Sequence, residues 1–328
     1  MRKSLCLLTL ICLIAGLAVM PAAADTGEWE FSKVNRIKIE GISGDVILRP
    51  AEGGTGKVVL RSDVHPGKNF SVEVDQRGET LRIEEKWRGG SSSGPVEWTI
   101  YLPETSSPVD VDIENASGDL DCYEVNARID YNTASGETRL ARVKLAKGST
   151  FNTASGDYEF EDLAITEDTR FNTASGDFIL KDLKIGAGCR FSTASGDIEI
   201  INCKCDDGVE FSTASGDVVV RNSALLGEAD FSSASGDVSV FLETLPESDL
   251  SASSASGDVL LNINDFSGDC TLVLIKRQDK GRISCPFEYD EEETFEDHHV
   301  YEKKTVHLGS GGPLIELRTA SGRVTVRE

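Results

Sequence analysis

The chain has 328 residues, with 33 Lys and Arg against 56 Asp and Glu, a formal net charge of −23. So acidic a surface repels nucleic acid and anionic membranes and draws cations or basic partners. Aromatic residues make up only 7% of the chain, and Gly, Ser, Thr, Asp and Val are abundant, which suits short strands and turns better than packed amphipathic helices.

The first 24 residues read as a cleaved secretory signal: a basic start, an apolar run from Leu5 to Met20, and small residues ending at Ala24. Losing Arg2 and Lys3 with this leader takes the charge from −23 to −25. Neither Cys6 nor Cys12 follows the small residue that a lipoprotein signal needs. No later segment reaches the roughly 18 apolar residues of a spanning helix. The expected location is the periplasm or the medium, without a transmembrane anchor.

Residues 25–117 carry alternating segments at irregular spacing, among them "KVVLRSDV", "FSVEVDQ", "TLRIEEKW" and "VEWTIYLP". They read as a β-rich cap that begins the coil described next or lies against it.

Residues 118–265 are a repeat. A Ser-Gly pair recurs with its glycine at 118, 136, 156, 176, 196, 216, 236 and 257, and Gly44 and Gly322 stand as outliers on either side. The second and fourth places after each glycine are mostly apolar, as in Phe178 and Leu180 or Val218 and Val220, a period of two that marks a half-buried strand. The seventh and ninth places are apolar again, as in Leu183 and Ile185, so the chain must bend near the fifth or sixth, where Asp162, Asp182, Asn202 and Asn222 stand. An aromatic returns five residues before the next glycine: Tyr131, Phe151, Phe171, Phe191, Phe211 and Phe231.

Twenty residues holding three short strands and three corners cannot fold alone, but they make one turn of a coil. Turns stacked about 4.8 Å apart bury like on like. The predicted fold is all-β, a single-stranded parallel β-helix of about 20 residues per rung, and the general preference for right-handed crossovers favours right-handed coiling.

In residues 266–328, "CTLVLIKRQDKGRISC" reads as a hairpin around Asp279-Lys280-Gly281, "YDEEETFEDHH" as a solvated acidic loop, and residues 314–327 as a last rung. Residues 25–328 are expected to form one continuous domain, and its irregular ends to keep the protein monomeric by blocking end-to-end stacking.

With these features the chain resembles the bacterial secreted "putative adhesin" domain of unknown function. The shared features are a β-rich opening, "WTIYLP", the "ASGD" array and the closing "GGPLIELRTASGRVTV". The resemblance implies a β-helix with a surface or adhesive role, and brings no catalytic residues with it.

The sharpest candidate site is the row Asp119, Asp157, Asp177, Asp197, Asp217, Asp237 and Asp258, in which Glu137 takes one place. Stacked in register, neighbouring charges repel by about 1 kcal/mol in water and about 3 to 4 at an effective dielectric of 20. Hydration, hydrogen bonds from the turn, or calcium would relieve this. The favoured reading is a corner, with glycine at positive φ and Asp bonding the backbone; calcium bridging is the lesser reading, since that ion needs six to eight oxygens. No other cofactor is implied.

A second outward row, Asn132, Asn152, Asn172, Ser192, Ser212 and Ser232, would satisfy itself along the stack or face a glycan. The threonine row from Thr133 to Thr213 shares the parity of the buried Phe and should point inward. Six cysteines follow the leader: Cys122, Cys203 and Cys205 fill apolar places, and Cys270 with Cys285 is the best pair for a disulfide. His298-His299 in the acidic segment is a weak metal candidate.

The preferred function is non-enzymatic binding at the cell envelope or outside the cell, with a glycan or surface protein as partner. A carbohydrate-active β-helix enzyme, lyase or hydrolase, is the alternative, and a purely structural solenoid the third. Near-identical rungs argue against one unique cleft.

Overall fold

The computed structural model describes residues 18–21, 26–62, 70–87 and 95–328. Apart from Ala18–Pro21, the leader lies outside the described residues. Among those residues there is no helix, and the strands form two long sheets of 14 and 21 members.

A middle rung shows how the sequence builds them. Phe178–Lys181 lies in the narrower sheet, the backbone turns at Asp182, and Lys184–Ile185 and Arg190–Thr193 follow in the broader sheet. The next rung repeats this twenty residues later, in parallel: Phe178 pairs with Ile198, Ile185 with Cys205, and Phe191 with Phe211. The three strands and the bend are where period-two parity places them. At the bend the backbone is left-handed at Glu124, Arg142, Asp162, Asp182, Asn202 and Asn222, with φ between 49° and 56°. Asn and Asp tolerate this conformation because their short side chains bond locally; Asn202 donates from Nδ2 to Asp182 Oδ1 at 3.3 Å.

The interior is one continuous apolar core. Phe151, Phe171, Phe191, Phe211 and Phe231 stack with centroids 4.8 to 5.4 Å apart, every ring fully buried. Tyr158 stacks on Phe178 at 4.8 Å from the opposite sheet. Offset ring stacking adds about 0.5–1.5 kcal/mol per pair beyond area burial.

The ends correct the linear reading. The C-terminal rung is not the last in space: Leu314–Thr319 lies between Leu250–Ser254 and Cys270–Arg277, and Arg323–Arg327 between Val259–Asp265 and Arg282–Ser284. Cys270–Arg277 and Arg282–Ser284 are therefore not a hairpin. They sit in different sheets and form the outermost rung.

The N-terminal end mirrors this. Arg36–Ile42 lies between Thr80–Trp87 and Val109–Ser117, and Asp45–Pro50 between Val96–Leu102 and Leu120–Tyr123.

Antiparallel strands finish both ends. Thr26–Phe31 and Gly56–Ser62 extend the narrower sheet, and Phe70–Arg77 extends the broader one, with Ala18–Pro21 beyond it. The acidic segment is also a strand rather than a loop: Glu291–Asp297 pairs with His299–Leu308 around His298, and ion pairs join Glu293 to Lys303 and Glu292 to Lys304. Charged edges of this kind discourage further strand addition.

Candidate functional site

The first corner, "TASGD", is a hydrogen-bonded column. Thr193 Oγ1 accepts from the Gly196 amide at 3.1 Å and donates to the carbonyl of Gly176, one rung back, at 3.0 Å. Thr213, Ser233, Ser254 and Thr319 repeat the same pair of bonds. From Thr173 onward the inward row thus serves the backbone, whereas the buried Thr153 Oγ1 has no hydrogen-bond partner among the described residues.

The aspartates hold the corner from outside. The carboxylate Oδ1 of each accepts the amide of its counterpart in the next rung, from Asp157 to Asp177, Asp197, Asp217, Asp237 and Asp258, at 2.7 to 2.9 Å. The outlying rungs join in: Asp45 accepts from the Asp119 amide, Asp119 from Glu137, and Asp258 from Arg323. Arginines stand at both ends, Arg139 at 3.2 Å from Asp119 Oδ2 and Arg323 at 3.3 Å from Asp258 Oδ2. From Asp157 to Asp237 the carboxylates are exposed and make no ion pair among the described residues.

Glycine is required here for a reason other than the expected one. Only Gly118 and Gly136 in the array have positive φ. At Gly176, Gly196 and Gly216 a Cβ would stand 1.8 to 1.9 Å from the carbonyl oxygen of the preceding rung's glycine. The column needs glycine because the backbones touch. Gly44, Gly322 and Gly281 belong to it as well.

The other sequence candidates are accounted for locally. Asn152 donates to Asn132 and Asn172 to Asn152, each at 2.9 Å, and the Ser192 and Ser212 hydroxyls bond at 3.0 Å. Cys122, Cys203 and Cys205 are buried in apolar places. Burial pushes the Cys189 and Cys203 thiols up to about 11, far from a reactive thiolate. Cys270 and Cys285 are both free, so the expected bridge is not formed: Cys270 faces the core from the broader sheet, while Cys285 follows a strand of the narrower one. No metal-holding cluster occurs among the described residues, His298-His299 included.

Sequence reasoning missed a groove at the second corner, near the N-terminal end. It encloses about 800 Å³ and is lined by Arg49, Lys57, Tyr101, Tyr123, Glu124 and Arg142 among others. Lys57, Tyr101 and Arg49 are direct cross-strand neighbours. The Arg49 guanidinium lies over the Tyr123 ring, 5.1 Å from its centroid. Arg142 binds Glu124 at 2.7 Å and Lys57 pairs with Glu28. Arg49 has no ion pair among the described residues. The only signal in the sequence was aromatic residues at outward strand positions.

No curated protein matches the chain. Among solved structures, similarity extends to a "putative lipid binding protein" from Parabacteroides distasonis ATCC 8503 at 14% identity, covering 93% of this chain and 97% of that one, with a TM-score of 0.40. It extends also to a "putative adhesin" from the same organism (10% identity, 95% and 97% covered, TM-score 0.28) and another from Parabacteroides merdae ATCC 43184 (12%, 96% and 96%, 0.24). The Toastrack DUF4097 family model matches residues 34–273, which takes in the permuted first rungs and the whole glycine column up to Gly257, and the chain belongs to that family.

Proposed function

We propose that the protein is an exported, non-enzymatic, adhesin-like binding protein that acts at the cell envelope or outside the cell, with a glycan or surface protein as its partner. One observation carries this reading: rung after rung, the polar groups of the first corner are engaged with the same groups of the next rung, so a long uniform surface is presented in place of an isolated acid–base pair. A glycosidase needs two carboxylates set at a defined separation across a bond. The Asp column instead gives each member an identical structural bond. The signal-like first 24 residues supply the export route.

The test is incubation of the purified protein with a panel of immobilised polysaccharides and envelope preparations, following retained protein and new reducing or unsaturated ends. Retention without turnover is expected. Turnover abolished by Asp substitution would establish the enzyme instead, and failure to be retained by any of them would remove the binding role.

A further inference from the structure

The molecule is strongly acidic, yet the second corner gathers unpaired cations. In the broader sheet Lys144, Ala164, Lys184 and Lys204 stand in register on successive rungs, the three lysines exposed and free of ion pairs among the described residues. The groove at Arg49 shares Arg142 with a second concavity of about 370 Å³, and that one shares Arg142 and Lys144 with a third of about 310 Å³ reaching Lys184. The acidic groups lining these concavities are Glu30, Glu52, Glu104, Glu124, Asp162 and Asp182, with Glu161 next to Asp162 in the chain and Glu28 paired to Lys57. Of these, Glu124 is neutralised by Arg142 and Asp182 accepts from Asn202.

At the head of the track Arg49 is already held. Its guanidinium rests on Tyr123, while its planar fork of donors remains available for a bidentate oxyanion. Tyr101 beside it adds a half-exposed ring, the kind of surface on which the C–H face of a sugar settles. An acidic saccharide spaces its charges about a ring apart, comparable to the rung spacing of about 4.8 Å. A nucleic acid strand instead spaces its phosphates about 3.4 Å apart along the helix, out of step with the rungs.

We propose that this edge binds an acidic polysaccharide, with one uronate or sulfated sugar at Arg49 and Tyr101 and the chain continuing along the rungs past Arg142 to Lys204. The proposal rests on the binding role above and names its ligand class and site.

The experiment titrates the full-length mature protein with oligogalacturonates of increasing length and with dextran sulfate, against neutral dextran, polyglutamate and single-stranded DNA. Wild type should bind at least one acidic saccharide and not neutral dextran. R49A should weaken binding of short oligomers about ten-fold. R49K, which keeps the charge but loses the fork, should also weaken it, and K184A/K204A should lose affinity only for long oligomers. Melting midpoints equal to wild type show that the variants are folded; Arg49 and the lysines are exposed, so no core is disturbed. Equal binding of polyglutamate or DNA, or R49A and R49K matching wild type, overturns the site. If wild type is retained on the envelope panel yet binds no acidic saccharide, this inference alone falls; if it is retained by nothing, both fall.

Discussion

At Gly196 the placement of one hydrogen atom decides whether the coil can stack. A methyl group there would stand 1.8 Å from the Gly176 carbonyl oxygen and 2.9 Å from Asp177 Oδ1, and the Gly176 backbone, fixed in the stack, cannot yield. G196A is therefore expected to cost about 3 kcal/mol in urea unfolding, at the upper end of overpacking effects. The neighbouring D197N should be neutral or slightly stabilising, because an amide Oδ1 still accepts the Asp217 amide while one member of a row of like charges is removed. An unchanged midpoint for G196A would refute the contact argument. The importance of this glycine was legible in the sequence, but its reason was not: repetition shows that glycine recurs, and only the distance between rungs separates a close approach from a positive φ.

The element that shapes each rung is the bend between its sheets, and there the conformational argument does hold. Asn202 sits at φ 54° between Phe178-type and Ile185-type strands, and a β-branched side chain is strained in that region. N202V should cost about 1–2 kcal/mol, whereas N202G should stay within about 1 kcal/mol of wild type; thermal unfolding of both checks it. Should N202V melt like wild type, the bend would not be the constraint that sets rung shape. This element was readable because the switch from even to odd apolar places is local, spanning Leu180 to Leu183. The Arg49 groove was not readable, because Arg49, Tyr101 and Tyr123 come from strands more than twenty residues apart. Each reads alone as an ordinary outward position, and only the permuted pairing of the first rungs sets them side by side.

The same permutation governs the whole molecule. In a solenoid each rung is stabilised by its neighbours, so a rung between two others contributes two interfaces and an end rung only one. Gly44 and Gly322 stand outside the array in sequence order, yet the segments that carry them are interior rungs in space. The strands outside them, Thr80–Trp87 with Val96–Leu102 and Cys270–Arg277 with Arg282–Ser284, are closures that pair with the inner rung. At the C-terminal end the rung comes from the final residues. Deleting residues 312–328 removes buried Ile315, Leu317, Val324 and Val326 and strips hydrogen-bond partners from both Leu250–Ser254 and Cys270–Arg277. The apolar top of the Gly257 rung and an unpaired parallel edge then face solvent, a template for another copy of the chain. The truncated protein should lose the Cys270–Leu308 cap in hydrogen exchange while its middle rungs stay protected, and light scattering should rise with concentration where the full-length protein's does not. A truncated chain that remained monomeric with its cap protected would show that Cys270–Arg277 can close directly onto Leu250–Ser254, leaving the interleaved rung dispensable.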